Sequence, residues 1–431
     1  MAVTIAEPLT LPCGVRLKNR LVKAAMTEGL ADENNRATGR HGVLYRRWAQ
    51  GGAGLLITGN IMVDRRFLER PGNVAIDGEP TAEAMRALEH FAQAATDAGA
   101  EVMVQLSHPG RQTPSYVAKT PLAPSAVALG LPGGQFGAPR ALSHDEIIDV
   151  IARFANAASV VKAAGFSGVQ VHGAHGYLIS EFLNPLANRR TDEWGGPLEN
   201  RARLLLRTVA AVRAKVGSGF PVSVKLNSSD FQKGGFSFDE CLQVIDWLNE
   251  EGIDFLEISG GSYEQPKMMD IGGLDAPFEE RPRASTMARE AYFIQYAEES
   301  ARAAKMPLMV TGGFRSRAGM DSALASGAAD LIGLARPLCV DPDAAQKLLS
   351  GEIAEAPRWE KSLRLGAGFW GPNSRNSTIK AVNGFAAMAY FYKNIFRLAD
   401  GEPPREEMAL LPAFVSLQMH ERTAAKRLLR G

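Results

Sequence analysis

Eight short apolar runs recur along the chain, at Leu21–Ala25, Gly54–Thr58, Glu101–Leu106, Gly168–His172, Pro221–Leu226, Asp254–Ile258, Pro307–Thr311 and Asp330–Leu334. Turn residues bound each run, and helix-length segments separate them. The runs are near-continuously hydrophobic, as expected of parallel strands covered on both faces. The intervening segments carry helix signals. Ser143-His144-Asp145-Glu146 forms a capping box ahead of an apolar face made by Ile147, Ile148, Ile151, Phe154, Ala155 and Ala158. Ser237-Phe238-Asp239-Glu240 repeats the device ahead of Leu242, Ile245 and Leu248, and Pro197 suits the first position of a helix through Val216. Further helices are expected over Thr81–Ala98, Met287–Ala304 and Arg317–Ser326.

Strand and helix alternating eight times imply a parallel sheet with right-handed crossovers, and closure into a barrel at this length. The fold class is therefore α/β, a (β/α)₈ TIM barrel. An open doubly wound sheet would carry an early G-x-G-x-x-G turn after a strand, whereas Gly51, Gly52 and Gly54 precede one. Three segments fall outside the repeat. Leu9–Lys18 reads as an N-terminal hairpin cap at the barrel bottom. Ser107–Leu142, rich in Pro and Gly, is too long for a plain connection and begins where the third strand ends. Beyond about Asp343 lies a C-terminal helical extension, with a helix over Ser377–Leu398 bearing Phe385, Tyr390, Phe391, Tyr392 and Phe396. Core packing or a contact between copies of the chain explains that helix better than a membrane surface does. The expected division is 1–345 for the barrel and 346–431 for an extension packed on the barrel or on a partner subunit.

Composition narrows the class. The 431 residues are 45% hydrophobic with a formal net charge of +1, so no polyanion or nucleic-acid partner is indicated. Cys13, Cys241 and Cys339 are scattered, which argues against a zinc ribbon, an iron–sulfur cluster or a disulfide framework. The first residues lack a signal-peptide pattern, and no apolar run is long enough to span a membrane. A cytoplasmic enzyme with a small-molecule substrate is expected, without nucleic acid or membrane as partner and with a homo-oligomer as an open option.

The active site of such a barrel lies at the C-terminal ends of its strands. The residues met there are Met26 and Thr27, Gly59 and Asn60, Gln105, Ser107 and His108, His172 to Tyr177, Lys225 and Asn227, Ser259 to Gly261, Gly312 to Phe314, and Gly333, Ala335 and Arg336. Gly312 and Gly313 allow backbone N–H groups to approach an anion, and Arg336 offers a two-pronged donor to phosphate, although a tight turn also explains the glycines. His172-Gly-Ala-His175-Gly-Tyr177 is the sharpest cluster. It reads as two imidazole donors on one substrate oxygen beside a phenol able to give up a proton. Two metal ligands, or two hydrogen-bonded histidines at a strand end, are the competing readings.

At this motif a family emerges. Val171-His172-Gly173-Ala174-His175-Gly176-Tyr177-Leu178-Ile179, Glu181-Phe182-Leu183-Asn184-Pro185, and Asn188-Arg189-Arg190-Thr191-Asp192-Glu193-Trp194-Gly195-Gly196-Pro197-Leu198-Glu199-Asn200-Arg201 resemble the signature of Old Yellow Enzyme flavin oxidoreductases. Leu17-Lys18-Asn19-Arg20, Val104-Gln105-Leu106 with His108-Pro109-Gly110-Arg111, and Val310-Thr311-Gly312-Gly313-Phe314 fit as well, in order through residues 5–345. The resemblance implies FMN held non-covalently and NAD(P)H as reductant. It places Ala25, Met26 and Thr27 near the flavin ring, Gly59, Asn60 and Gln105 at its pyrimidine edge, and Lys225 by its N1–O2 region. Gly312, Gly313, Ala335 and Arg336 fall on the phosphate. His172 and His175 fall on the substrate carbonyl, with His172 also beside the flavin, and Tyr177 on the proton donor. The implied activity is reduction of the C=C bond of activated alkenes such as α,β-unsaturated carbonyl compounds, with a flavin-dependent amine dehydrogenase or demethylase as the alternative. Lys225 also stands where an aldolase would keep a Schiff-base lysine. Thr27 stands where one subgroup has cysteine, and Cys339 has no neighbouring cysteines with which to hold an electron-relaying cluster.

Overall fold

The computed structural model describes residues 2–131, 134–260 and 294–428. Its centre is a closed ring of eight parallel strands in chain order: β1 Leu21–Lys23, β2 Leu55–Met62, β3 Glu101–Ser107, β4 Gly168–Gly173, β5 Val222–Asn227, β6 Phe255–Ser259, β7 Leu308–Thr311 and β8 Leu331–Leu334. The last strand returns to the first, with Ile332 opposite Leu21 and Leu334 opposite Lys23. The expected (β/α)₈ barrel is the observed fold. Strand ends differ from expectation at one place that matters. β2 runs to Met62, so Gly59 and Asn60 lie inside the strand, at a register shift against β3 between Ile57 and Asn60.

The helices begin where their caps dictate. Ser143 Oγ accepts the Glu146 N–H while the Glu146 carboxylate accepts the Ser143 N–H, and Ser237 and Glu240 do the same. Pro197 is the cap itself, with ψ of 155°, and the helix starts one residue later at Leu198. Helices at Ala82–Thr96 and Arg317–Ala325 match expectation within two residues, and Ile294–Ala303 is the described part of the one expected over Met287–Ala304. Residues 287–293 of that expectation, and Gly261, lie outside the described residues. A helix at Gly39–Gln50 and a short one at Arg336–Val340 were not foreseen.

Strand residues alternate between two environments, because successive side chains point to opposite faces. Val102, Val104, Leu106, Val169, Val171, Val224, Leu256, Ile258, Leu308 and Val310 join the large core under the helices. Val22, Ala24, Leu55, Ile57, Met103, Phe255, Met309 and Leu331 form a second core inside the barrel. The Leu9–Thr10/Arg16–Leu17 hairpin closes that inner core from below with Leu9, Leu11, Val15 and Leu17. The extension packs on the barrel. Its Ser377–Ala399 helix lies against the Gly39–Gln50 and Arg336–Val340 helices, and Arg40 pairs with Asp400 at 2.7 Å. Among the described residues, no helix is long and apolar enough to cross a membrane.

Candidate active site

Above the inner apolar core the inward positions turn polar. Gln105 on β3 donates to Gln170 on β4 at 2.7 Å, and Gln170 donates to Glu257 on β6 at 2.9 Å. Lys225 Nζ on β5 lies 2.8 Å from the other Glu257 oxygen. Lys225 and Glu257 are both sealed from solvent. An ammonium and a carboxylate survive such burial only as partners, since either alone would pay most of its desolvation. The chain of side chains spans four neighbouring strands and forms a polar floor.

On this floor stand the residues of the strand-four motif. His172 and Lys225 are register partners on β4 and β5. The His172 ring meets those of Tyr177 and His175 edge-on, at 4.9 and 5.2 Å between centroids. The structure thus brings together the three residues assigned to catalysis. Burial, reinforced by the nearby Lys225 ammonium, pushes both imidazoles well below the ordinary pKa of 6.5, so both are neutral at pH 7. Their tautomers follow from their partners. The Ala174 N–H donates to His172 Nδ1 at 3.2 Å, which leaves the ring proton on Nε2. His175 Nε2 lies 2.8 Å from Ser259 Oγ, and when that hydroxyl donates, the His175 proton sits on Nδ1. His175 holds a left-handed φ of 63°, unusual for a side chain with a Cβ. Its N–H is tied to Asn227 Oδ1 at 3.1 Å and its carbonyl to Gln112 Nε2 at 3.0 Å. Asn227 is oriented in turn by Asp230 at 2.8 Å.

The residues assigned to the cofactor lie on or just past the barrel strands. Ala25, Met26 and Thr27 follow β1 and are half-buried. Thr27 Oγ1 donates to Glu69 at 3.0 Å. Gly59 is glycine for a steric reason: a Cβ there would lie 2.4 Å from the Met26 carbonyl oxygen and 2.5 Å from Thr27 Cα. Asn60 and Gln105 are register partners. Gly312 and Gly313 have φ of 127° and 82°, so both need to be glycine. Ala335 leads into the helix that Arg336 begins, and Glu360 of the extension approaches Arg336 to 3.9 Å. Asn60 Oδ1, Ser107 Oγ, His108 Nε2 and Thr311 Oγ1 are buried without a hydrogen-bond partner among the described residues. Buried polar atoms rarely stay unsatisfied. The open acceptor Asn60 Oδ1, on the strand position opposite Gln105, fits a planar ring that brings a donor to that edge. Among the described residues, no group of three or more His, Cys, Asp or Glu side chains is placed to hold a metal ion.

Sequence reading missed Gln170, Glu257 and Glu69. The first two had a legible signal. In Val169-Gln170-Val171-His172, Val224-Lys225-Leu226-Asn227 and Leu256-Glu257-Ile258-Ser259 every second residue is polar, which an all-apolar barrel interior would not show. Glu69 gave no such sign.

The comparisons agree with this geometry. Residues 4–355 match the model of the NADH:flavin oxidoreductase / NADH oxidase family. The chain is 38% identical over 352 residues to the NADH-dependent flavin oxidoreductase iliE of Hypocrea jecorina, covering 78% of this chain and 86% of that protein. It is 38% identical to the iliE protein of Neonectria sp. as well, but spans only 46% of that longer relative. The structure of the old yellow enzyme homologue from Zymomonas mobilis superposes with a TM-score of 0.67 at 28% identity, covering 81% of this chain and 94% of that one. The chain belongs to the NADH:flavin oxidoreductase / NADH oxidase family, of the Old Yellow Enzyme type, and is a flavin-dependent oxidoreductase.

Proposed function

We propose that the protein holds FMN non-covalently over the polar floor of the barrel and uses NAD(P)H to reduce the C=C bond of activated alkenes such as α,β-unsaturated carbonyl compounds. The observation that carries this is the pair of neutral, oriented imidazoles beside Tyr177. Asn60 and Gln105 would take the pyrimidine edge, Lys225 the N1–O2 region, Ala25, Met26, Thr27 and Gly59 the ring, and Gly312, Gly313, Ala335 and Arg336 the phosphate. FMN held there would supply the hydride chemistry, with NAD(P)H as its reductant.

The protein's own residues do the rest. His172 Nε2–H and His175 Nδ1–H donate to the carbonyl oxygen, where negative charge grows as the β-carbon accepts hydride. Neutral donors suit this task, because they strengthen with developing charge and do not protonate the oxygen outright. For His175 the Nδ1–H donor goes with a Ser259 hydroxyl that donates to Nε2, 2.8 Å away. Tyr177 then gives its phenolic proton to the α-carbon as general acid. Its ring is buried against His172, which limits competing protonation by water.

Anaerobic stopped-flow tests the assignment. Cyclohexenone should reoxidise the NAD(P)H-reduced protein, and Tyr177→Phe should slow that step by about 10²–10⁴-fold while leaving reduction by NAD(P)H unchanged. Unchanged enone turnover in Tyr177→Phe removes the acid assignment. Bleaching of the oxidised protein by a methylated amine, with no response to enones, would establish the amine-oxidising alternative instead.

A further inference from the structure

The family match stops at residue 355, and the next segment, together with Arg336, lines a cavity of about 1090 Å³. Arg336 forms one wall, the 360–375 segment a second, and the Ser377–Ala399 helix a third. Volumes of this order hold cofactor-sized molecules. The walls carry five cations, Arg336, Lys361, Arg364, Arg375 and Lys380, against a single carboxylate, Glu360. Glu360 pairs with Arg315 at 2.5 Å and approaches Arg336 at 3.9 Å. Among the described residues no carboxylate pairs with Lys361, Arg364, Arg375 or Lys380. In a chain of net charge +1 this is a local concentration of positive charge, not a general one. Two aromatic rings stand beside it with little cover: Phe369, which lines the cavity, and Trp370, 60% and 64% exposed and edge-on to each other at 5.4 Å.

Several unpaired cations call for a ligand with several negative charges, and arginines in particular match phosphate oxygens. The exposed rings call for a flat base, since aromatic faces stack on nucleobases at little cost in specificity. The position narrows the choice further. Arg336 belongs both to this cavity and to the set assigned to the flavin phosphate, so the cavity adjoins that set. We propose that the extension forms a subsite for the adenosine-phosphate end of a nucleotide, with phosphates on Lys361, Arg364, Arg375 and Lys380 and the adenine against Phe369 or Trp370. Its use by a reductant or substrate rests on the flavin-centred reading above; binding of the tail does not. Two sources share this chemistry, the tail of NAD(P)H and the tail of a coenzyme A ester, and they differ in where an extra phosphate sits.

Calorimetric titration of the purified full-length protein with ADP, at low salt, tests the subsite. Saturable binding that weakens with added salt is expected. Arg364→Glu/Arg375→Glu should weaken it by about tenfold or more, with melting temperature and flavin content unchanged. Phe369→Ala/Trp370→Ala should weaken ADP but not inorganic pyrophosphate. Tighter binding of 2′,5′-ADP assigns the subsite to NADPH, tighter binding of 3′,5′-ADP to a coenzyme A ester, and no gain from either to NADH. Absence of saturation by about 1 mM ADP overturns the proposal, as does ADP affinity indifferent to the Arg364/Arg375 pair. A colourless protein that still binds ADP would defeat the flavin reading alone, because calorimetry reads the cavity directly.

Discussion

The buried Lys225–Glu257 pair allows a quantitative test of how the floor of the site is held. Glu257→Gln preserves shape and hydrogen-bonding capacity but leaves the Lys225 ammonium without its counter-charge, in a position only 3% exposed. At the observed 2.8 Å the attraction between unit charges is about 6 kcal/mol for an effective dielectric of about 20. Both ions have given up hydration to reach that position, so the pair itself contributes much less than this. Removing one partner is the costly change, at about 3–5 kcal/mol, because the other charge stays buried. With an unfolding entropy of about 2.1 cal/mol/K per residue, over the 431 residues present, that cost is a fall in melting temperature of about 3–6 °C. Differential scanning calorimetry of Glu257→Gln, Lys225→Met and the double variant supplies the assay. Each single variant should be destabilised by the stated amount, and the double variant should recover most of it. Additive losses in the double variant, or single losses below about 1 kcal/mol, would refute the claim that these two charges depend on each other.

Other expectations follow from the same site. His172 and His175 are pushed well below 6.5, and His108 is pushed down to about 4 by burial. The unfolded chain takes up these protons near pH 6.5, so the stability they contribute is complete above that pH. It is lost as pH falls below that, for His108 by about 2 kcal/mol at pH 5. Melting temperature measured against pH should show this slope, and His108→Asn should make it shallower. Gly59→Ala should push the 25–27 segment away from β2, because its Cβ would stand 2.4 Å from the Met26 carbonyl oxygen. Overpacking of that kind costs about 1–3 kcal/mol, and fluorescence titration of the variant should show weakened flavin binding. Native-like affinity there would mean that the strand and loop can part without disturbing the ring site.

How far the sequence alone reaches depends on what each residue answers to. Strand runs, capping boxes and the order of the eight units are local signals, so Ser143 with Glu146, Ser237 with Glu240, and the recurring apolar runs specify the barrel without any long-range contact. The His172–Tyr177 cluster was legible because its three members lie within one strand end. The polarity of single strand positions was legible too, but not which of them meet across strands. Glu257 stands 87 positions beyond Gln170 and meets it only across the closed ring. The neutrality of the imidazoles likewise depends on burial and on Lys225, neither of which a sequence displays.

Tertiary structure also divides the long family motif between chemistry and support. Asn188 holds the Phe182 and Trp194 carbonyls at 2.8 Å each, Arg190 anchors the excursion after β3 through the Leu142 carbonyl at 2.6 Å, and Arg111 N–H meets Glu181 at 2.8 Å. Those residues are scaffold, although in sequence they look as special as His172. The sequence by itself determined the repeating unit and the candidate chemistry, because periodicity and capping act within a few residues. Only closure of the barrel decided which polar side chains share a floor, which charges neutralise each other and where the extension places its cations, because electrostatics and burial act through space and not along the chain.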